Sequence, residues 1–455
     1  MLRDARHAMH DILLLRISAI LPEAISDGGL TPTTDTDLLL ATYKGGNHFT
    51  SDIKIRKVRH LQPNSLFLFP SKLVTATLFF PIFFLYDKDN QIVIENRRTI
   101  RYLKEVFTML TAKQNMIECM KAGGHPDRYV NQYEAIKLLF HPFMFTSPSP
   151  QKGQTNIVNA WGVTNSFPDN VPGAFPVHTP DKIVVKDIEN WKDYVKAPSL
   201  DFPQELWDQC KAMYDAVDGE KAFKASFVAP GLFEQTHHLC EMVNALYYYV
   251  DYEDEMHDLI KYLTEWELKL AEGICDHLHP DMIFHHDDWG SHDSTFLSPA
   301  MFEDFFLDSY KEIYGYYKSH GVDYIVHHSD SYAATLVPDM IEMGIDVFQG
   351  CMKTNNVPEL IKKYGDKISF MGVIENAFVD HEGWSDEECE KVVRETIADC
   401  GMHSFIPCIA QGGPGSVYPG VYLSLAKAID KVNQEQFGFT PEEQAAMRLP
   451  HDIMF

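Results

Sequence analysis

The sequence is poor in basic residues, in paired cysteines and in nucleotide-binding motifs. Lys and Arg number 39 against 65 Asp and Glu in 455 residues. With a net charge of −26, we expect no nucleic-acid partner, because phosphate contacts need a basic surface. The eight cysteines include no Cys-x-x-Cys pair, and the first residues show no secretory pattern, so we expect a reduced, cytoplasmic compartment. The chain has no P-loop and no Gly-rich dinucleotide fingerprint. These absences favour small-molecule chemistry.

The chain is rich in apolar residues, which are numerous enough for a large core. They make up 45% of the sequence, and aromatic residues make up 12%, which excludes intrinsic disorder, a coiled coil and a disulfide-stapled miniprotein. Residues 65–86 are apolar enough to suggest a membrane span. Because Pro70, Lys72 and Pro81 interrupt this run and its aromatics lack a helical period, we expect no membrane insertion.

Charge divides the chain near residue 108. Residues 1–108 carry 14 basic and 11 acidic side chains, whereas residues 109–455 carry 25 and 54. The tripeptide Lys104-Glu105-Val106 can be encoded by a purine-rich AAG-GAG-GTN, the sense of a bacterial ribosome-binding site, and Met109 follows it closely. On this interpretation residues 1–108 are an N-terminal extension of doubtful fold, either translated upstream sequence or disordered. The competing interpretation is a small accessory domain.

Short apolar runs alternate with amphipathic stretches from about residue 224 onward. The predicted strands are 225–230, 281–286, 323–328, 345–349, 367–372 and 404–409. Helices are predicted between them, one of which opens with a capping box at Ser385 and Glu388. Six such units in series require parallel strands joined by crossover helices. With further strands expected within 129–222, the fold class is α/β and the leading architecture is a (βα)8 TIM barrel, and a doubly wound sheet is the second choice.

Reactive side chains stand at the carboxyl ends of these strands or in the loops that follow, and in a barrel those ends converge on one face. The segments are His285 to Asp288, His327 to Asp330, Cys351, Glu375 and Cys408. Zinc takes tetrahedral nitrogen and sulfur ligands, and a catalytic site uses three protein ligands and leaves a fourth position open. We predict zinc ligands at His328, Cys351 and Cys408, with Asp330 or Glu375 closing the shell. Taken singly, each cysteine is more often a small buried hydrophobe.

Two neighbouring segments supply further candidates. His286, Asp287 and Asp288 are candidate catalytic residues, because an Asp here can act as a general acid or orient a metal-bound histidine. Asp288 is equally suited to capping the following turn. The loop after Cys408 has the candidate cofactor-binding residues Gly412, Gly413 and Gly415, which permit close backbone approach to a ligand. A purely structural loop is the alternative.

Motifs at these positions resemble the uroporphyrinogen decarboxylase superfamily. They are Thr111-Ala-Lys-Gln-Asn, Pro126-Asp-Arg-Tyr, Asp287-Asp-Trp-Gly, His328-Ser-Asp-Ser, Pro338-Asp-Met-Ile-Glu-Met-Gly-Ile-Asp and Phe370-Met-Gly. The resemblance extends over about residues 109–440 and includes none of 1–108. It implies a (βα)8 barrel for residues 109–455.

Within that superfamily the resemblance favours the zinc-dependent, corrinoid-linked methyltransferases. The decarboxylases carry an arginine-rich segment near the amino end that holds substrate carboxylates, and nothing similar stands in 109–170. The methyltransferases bind zinc through a His-x-Cys and a later Cys. His328-Ser-Asp330 and Cys408 occupy those places here, and Cys351 stands where an additional ligand can fall. The thiol-methylating members have a Cys where this sequence has Asp330. In this respect the motif is closer to that of members that demethylate methoxylated aromatics or quaternary amines.

The expected function is therefore zinc-dependent methyl transfer from a small methylated donor to the cobalt of a corrinoid (cobalamin). The corrinoid would arrive on a partner protein, because the chain has no corrinoid-binding Asp-x-His-x-x-Gly. One alternative is a decarboxylase-like lyase acting on a tetrapyrrole or related acid, which would need basic residues at the barrel mouth. Another is a non-catalytic corrinoid or tetrapyrrole binder. The sequence leaves open the methyl donor, the direction of transfer and a homo-oligomeric state.

Overall fold

The computed structural model describes residues 109–171, 173–413 and 415–450, together with four short strands in residues 1–108. By its internal contacts the chain divides into two units, 1–108 and 109–455.

The first unit contains two antiparallel strand pairs. The strands are β1 (Leu39–Thr42), which pairs with β2 (Lys54–Lys57), and β3 (Leu85–Tyr86), which pairs with β4 (Ile92–Val93). The remainder of the predicted N-terminal extension, including most of the apolar run at 65–86, lies outside the described residues. The two interpretations of this segment therefore stay predictions.

The second unit contains ten strands and thirteen α-helices within its described residues. The strands are β5 (Ile136–Leu139), β6 (Ile157–Val158), β7 (Thr164–Ser166), β8 (Phe175–Pro176), β9 (Phe223–Val228), β10 (Met282–His286), β11 (Tyr324–His328), β12 (Val347–Cys351), β13 (Ser369–Ile374) and β14 (Phe405–Ile409). The helices are α1 (Ala112–Met120), α2 (Pro142–Thr146), α3 (Gln204–Asp215), α4 (Leu232–Cys240), α5 (Met242–Asp251), α6 (Glu253–Leu278), α7 (Pro299–Phe302), α8 (Asp308–Ser319), α9 (Val337–Met343), α10 (Val357–Tyr364), α11 (Asp386–Cys400), α12 (Val421–Phe437) and α13 (Pro441–Ala446).

Seven parallel strands form one curled sheet, in the order β14-β13-β12-β11-β10-β9-β5. Gln132, just before β5, joins the two edge strands. Its backbone N–H donates to the carbonyl of Pro407 at 3.2 Å, and its side-chain oxygen accepts from the N–H of Ile409 at 3.4 Å. The predicted α/β barrel architecture is confirmed.

The expected number of eight strands needs correction. In the described residues, 129–222 supplies only β5 to the central sheet. The other strands of that stretch, β6 to β8, are two or three residues long and pair antiparallel with one another in a sheet of their own. The barrel wall is therefore a seven-stranded sheet whose edges meet at Gln132.

The period of two along each strand divides the core into two layers. One layer contains apolar side chains from all seven strands and lies inside the barrel; among them are Leu138, Ala225, Phe284, Val326, Val347, Met371 and Ile406. The other layer packs between the strands and the helices and contains Ile283, Ile325, Phe348 and Phe370. At the carboxyl end of each strand, successive side chains therefore alternate between the barrel interior and the surrounding helices.

Local signals in the sequence fix several helix ends. The Ser385 hydroxyl accepts from the N–H of Glu388, and the Glu388 side chain accepts from the N–H of Ser385, which confirms the predicted capping box. Helix α9 ends at Met343 and is capped by Gly344, whose φ of 85° is readily adopted only without a Cβ. None of the described helices has the length and apolar character needed to cross a bilayer. All eight cysteines are free thiols, and all are buried.

Candidate active site

Strand register brings His286, His328 and Gln349 side by side. His286 on β10 pairs with His328 on β11, which in turn pairs with Gln349 on β12. Because in-register residues of neighbouring strands point to the same face, these side chains form one row. The row continues through Met371 and Ile406, which belong to the barrel interior. The row therefore lies inside the barrel, and its two histidines are the last residues of their strands.

The first histidine of each His-His doublet faces the opposite way, toward the helices. His285 Nε2 lies 2.6 Å from Glu267 on α6. His327 uses both ring nitrogens, Nδ1 with the hydroxyl of Tyr314 at 2.9 Å and Nε2 with the carbonyl of Asp287 at 3.1 Å. These two imidazoles connect the sheet to the helices that surround it, and only the second histidine of each doublet reaches the interior.

His328 is held by Gln349 with one ring nitrogen left available. The Gln349 side-chain oxygen accepts a hydrogen bond from Nδ1 of His328, so Nε2 presents its lone pair. That Nε2 lies 4.0 Å from Oδ2 of Asp330. Burial, with a contribution from His286, lowers the pKa of His328 to about 4. The ring is therefore a neutral imidazole at pH 7, the form that binds metals.

His286 is oriented in a similar way by a carboxylate. Its Nδ1 lies 2.9 Å from Oε2 of Glu234 on α4, and its ring stacks on that of His328 with centroids 4.4 Å apart. Burial disfavours charge on His286, but Glu234 and Asp288 outweigh it and raise the pKa of His286 to about 10. This ring therefore carries a proton at pH 7, and a metal ion bound by it would have to displace that proton. One ligand atom each of His286, Asp288 and His328 lies within 4.8 Å of the other two.

The carboxylates of Asp288 and Asp330 complete this cluster. Oδ1 of Asp288 accepts a hydrogen bond from the backbone N–H of Asp330 at 2.9 Å, which fixes the two loops after β10 and β11 against each other. The side chain of Gln411 hydrogen-bonds to Asp330. Burial and the nearby Asp288 raise the pKa of Asp330 to about 8. Two imidazoles and two carboxylates thus converge from two adjacent strands.

Asp287 is fully buried and occupied by four hydrogen-bond donors. The backbone N–H groups of Phe233 and Glu234 donate to it at 3.0 and 2.7 Å, the Trp289 indole donates at 2.9 Å, and the Tyr310 hydroxyl is its fourth partner. Asp287 therefore holds the first turn of α4 in place, and with it Glu234. Of the two predicted roles for this carboxylate, these contacts favour positioning. The carboxylate open to the cluster is that of Asp288.

Gly231 allows α4 to begin this close to the sheet. A Cβ on Gly231 would lie 2.4 Å from the Cβ of Asp287, a distance that two carbon atoms cannot adopt without displacing the helix. Because Gly231 has no side chain, α4 can begin directly beside Asp287, and Glu234 in its first turn reaches His286.

The predicted sulfur ligands lie beyond this row, on β12 and β14. Cys351 is fully buried, and its thiol donates to the carbonyl of Met371 at 3.3 Å. Cys408 is fully buried in the interior layer, two strands away. Burial raises the pKa of both thiols well above the ordinary value. Neither metal-binding group found among the described residues includes a cysteine, and the ligand roles of Cys351 and Cys408 stay predictions.

The remaining predicted site residues lie in two surface loops. Glu375 follows β13, and its carboxylate accepts from the backbone N–H of Lys353 at 2.8 Å. The loop of Gly412, Gly413 and Gly415 is closed by Ser416, whose hydroxyl accepts from the N–H of Gly413 at 2.8 Å. These contacts describe a compact turn, and the predicted cofactor contacts of the three glycines stay untested.

Sequence reasoning missed the side chains that orient the two histidines. Gln349 lies inside an apolar strand, and its role depends on strand register. Glu234 belongs to a Glu-x-x-His-His run on α4, where residues three and four apart share a helix face. That spacing, directly after a predicted strand, was a signal that could have been found. His237 and His238 complete this run.

Comparison with known proteins identifies the family of this chain. The uroporphyrinogen decarboxylase (URO-D) family matches residues 155–428, more than half of the chain. The chain belongs to the uroporphyrinogen decarboxylase family. The matched residues of this family include every strand from β6 to β14, and with them His286, Asp288, His328 and Asp330. The search of curated proteins finds no match.

Among solved structures, a methyltransferase from Methanosarcina mazei has the same fold. The TM-score is 0.50 at 14% sequence identity, over 71% of this chain and 99% of that one. A B12-independent methionine synthase from a Shewanella species follows at a TM-score of 0.32 and 15% identity, over 47% and 63% of the two chains. A D-psicose 3-epimerase has a TM-score of 0.31 and 10% sequence identity, over 51% of this chain and 85% of the epimerase.

Proposed function

We propose that this member of the uroporphyrinogen decarboxylase family is a metal-dependent methyltransferase. It moves a methyl group from a methoxylated aromatic or a quaternary or methyl amine to the cobalt of a corrinoid carried by a partner protein. The observation that carries the proposal is the cluster of His286, Asp288 and His328 at the carboxyl ends of β10 and β11. The fold shared with the Methanosarcina methyltransferase is consistent with it.

The donor set of this cluster fits a borderline divalent metal such as Zn²⁺. Imidazole and carboxylate ligands are common in catalytic zinc sites, which keep one position open. Metal-binding histidines almost always give their second ring nitrogen to a carboxylate or carbonyl. Both histidines here satisfy that requirement, His286 through Glu234 and His328 through Gln349. We propose His286, Asp288 and His328 as ligands, and a bound Zn²⁺ would supply a Lewis acid for the departing atom of the donor.

A second ligand set, His328 with Cys351 and Cys408, is the alternative predicted from the sequence. In the structure both thiols are buried and Cys351 is hydrogen-bonded to backbone. The two sets share His328 and differ in their other members. A Cys408→Ala variant that keeps its zinc would favour the histidine and aspartate set.

The chain's own residues have separate tasks in this reaction. Glu234 and Gln349 fix the rings of His286 and His328, and Asp287 fixes Glu234. Oδ2 of Asp330, beside Nε2 of His328, either contributes a further ligand or holds the proton that a departing oxygen takes up. Among the described contacts of His286, Asp288, His328 and Asp330, no Lys or Arg side chain takes part, which disfavours the lyase acting on a polycarboxylic acid.

The test is methylation of reduced cobalamin by the purified, zinc-supplemented protein. The donor panel contains methoxyarenes, methylamines, betaines and thiols, and methyl-cobalt formation is followed by its absorption spectrum. We expect turnover with a methoxyarene or a quaternary amine, lost in His328→Ala and kept in His403→Ala, which changes an exposed histidine. No turnover with any donor, together with CO₂ release from a tetrapyrrole acid, would support the lyase instead.

A further inference from the structure

A second group of ligand atoms lies on helix α4, outside the His286, Asp288 and His328 cluster. Glu234, His237 and His238 stand at positions i, i+3 and i+4 of this helix, which places them on one face. One ligand atom from each residue lies within 4.8 Å of the other two. Glu234 is buried and the two imidazoles are half-buried, so the group is partly shielded from water and still reachable.

The two imidazoles make no side-chain hydrogen bonds within the described residues. The rings of His286, His328, His285 and His327 are all hydrogen-bonded. The ring nitrogens of His237 and His238, in contrast, make no hydrogen bond to any described residue. Their rings meet edge to face at 4.8 Å. Two adjacent half-buried histidines whose ring nitrogens have no hydrogen-bond partner among the described residues are polar groups that a ligand would satisfy.

A third imidazole approaches from a different part of the chain. Nε2 of His178, in the loop after β8, hydrogen-bonds to the backbone carbonyl of His238 at 3.1 Å. This contact fixes the end of α4 that carries the two histidines. The α4 group is therefore anchored at both ends, by Asp287 at its first turn and by His178 at its last.

The donor chemistry selects the class of ligand. Two imidazoles and one carboxylate are nitrogen and oxygen donors that suit borderline divalent transition metals, zinc among them. A Glu-x-x-His pair on one helix is a spacing that places two metal ligands on one face in helical metal sites. We propose that Glu234, His237 and His238 form a second binding site for a divalent transition-metal ion.

Glu234 connects this site to the first one. Its Oε2 is the partner of Nδ1 of His286, and its carboxylate also belongs to the α4 group. An ion on α4 would share Glu234 with His286, so the two sites are coupled through one carboxylate. The α4 site does not depend on whether the first site transfers methyl groups.

The experiment is a Zn²⁺ titration of the metal-free full chain by calorimetry. The variants are the double variant His237→Ala/His238→Ala, His328→Ala and the control His403→Ala. We expect the double variant to bind one equivalent fewer than the wild type, and His328→Ala to keep the equivalent that the double variant loses. His403→Ala should match the wild type. An unchanged stoichiometry in the folded double variant would overturn the proposal.

A second measurement covers the case in which the double variant does not fold. Crystals of the wild-type protein soaked in Zn²⁺ should show an anomalous difference peak bonded to Glu234, His237 and His238. No peak there, with or without a peak at His328, would overturn the α4 site. A peak at α4 without one at His328 would support this site and count against the proposed active centre.

Discussion

The side-chain oxygen of Gln349 accepts a hydrogen bond from Nδ1 of His328, its in-register neighbour on the adjacent strand. Both side chains are buried, and the Gln349 amide nitrogen is buried without a partner among the described residues. An amide is costly to bury in such a position unless it has a task. Its task here is to fix the tautomer of His328 so that Nε2 is available.

Replacing Gln349 by Leu should therefore weaken metal binding without removing a ligand. We expect the Kd for Zn²⁺ to rise about 10- to 100-fold, the usual effect of losing a partner of a metal-bound histidine. Gln349→Glu keeps an acceptor oxygen and should bind more tightly than Gln349→Leu. Equal Kd values for wild type and Gln349→Leu would show that this hydrogen bond does not orient a ligand.

Substitution of Asp287 should mainly lower stability, whereas substitution of Asp288 should mainly weaken metal binding. Asp287→Ala leaves buried donors of Phe233, Glu234 and Trp289 without their acceptor, so the free energy of unfolding should fall by about 4 kcal/mol. Asp288→Ala removes one hydrogen bond and should cost about 1 kcal/mol, yet lose metal. Urea denaturation and metal analysis of both variants check this. The reverse order of stabilities would contradict the positioning role of Asp287.

Asp330→Asn distinguishes the two classes of methyl donor. An aryl ether leaves as an oxygen anion that gains from a proton, whereas a quaternary amine leaves as a neutral amine. If Asp330 holds that proton, we expect methoxyarene demethylation to slow by about 100- to 10,000-fold and quaternary-amine demethylation to stay near the wild-type rate. An equal loss with both donors, together with lost zinc, would instead make Asp330 a ligand.

His141, far along the chain from the site residues, should make stability sensitive to acid. Both ring nitrogens are buried, and neither makes a hydrogen bond of standard geometry to a described residue. Burial outweighs a backbone contact with Phe227 and lowers the pKa of His141 to about 3. The unfolded chain takes up the proton near pH 6.5 and the folded chain only near pH 3. Stability is therefore present above pH 6.5 and falls as the pH drops below it, by about 1.4 kcal/mol per pH unit for one proton.

The His141→Leu variant should lose this part of the pH dependence. Urea denaturation of both proteins between pH 7 and pH 4 measures the difference in slope, and His320→Leu, at an exposed position, is the control. Parallel curves for wild type and His141→Leu would contradict the assignment.

The strands and helices after residue 224 could be predicted because their signals are local. Apolar runs marked six strands, and the Ser385 capping box marked the start of α11. The number of seven strands could not be predicted. It depends on β6 to β8 pairing with one another and not with the central sheet, and no single one of these short segments carries a signal for that pairing. Likewise, each His-His doublet shows that two histidines end a strand, but only the register shows that His286 faces the interior and His285 faces Glu267.

The convergence of several candidate residues could be predicted for the same reason. His286, Asp288, His328 and Asp330 follow predicted strands, so their convergence follows from the barrel alone. The Glu-x-x-His-His spacing can be found in the sequence, but the contact of Glu234 with His286 cannot, because it depends on how Asp287 and Gly231 position the first turn of α4. Long-range contacts of this kind leave no periodic pattern in the sequence.

The most direct test of the proposed centre is the anomalous difference map of a Zn²⁺-soaked crystal, recorded at the zinc edge. We predict a peak about 2.0–2.2 Å from a ring nitrogen of His286, a ring nitrogen of His328 and a carboxylate oxygen of Asp288. A peak bonded to the sulfur atoms of Cys351 and Cys408 and distant from His286, or no peak at His328 at all, would contradict it.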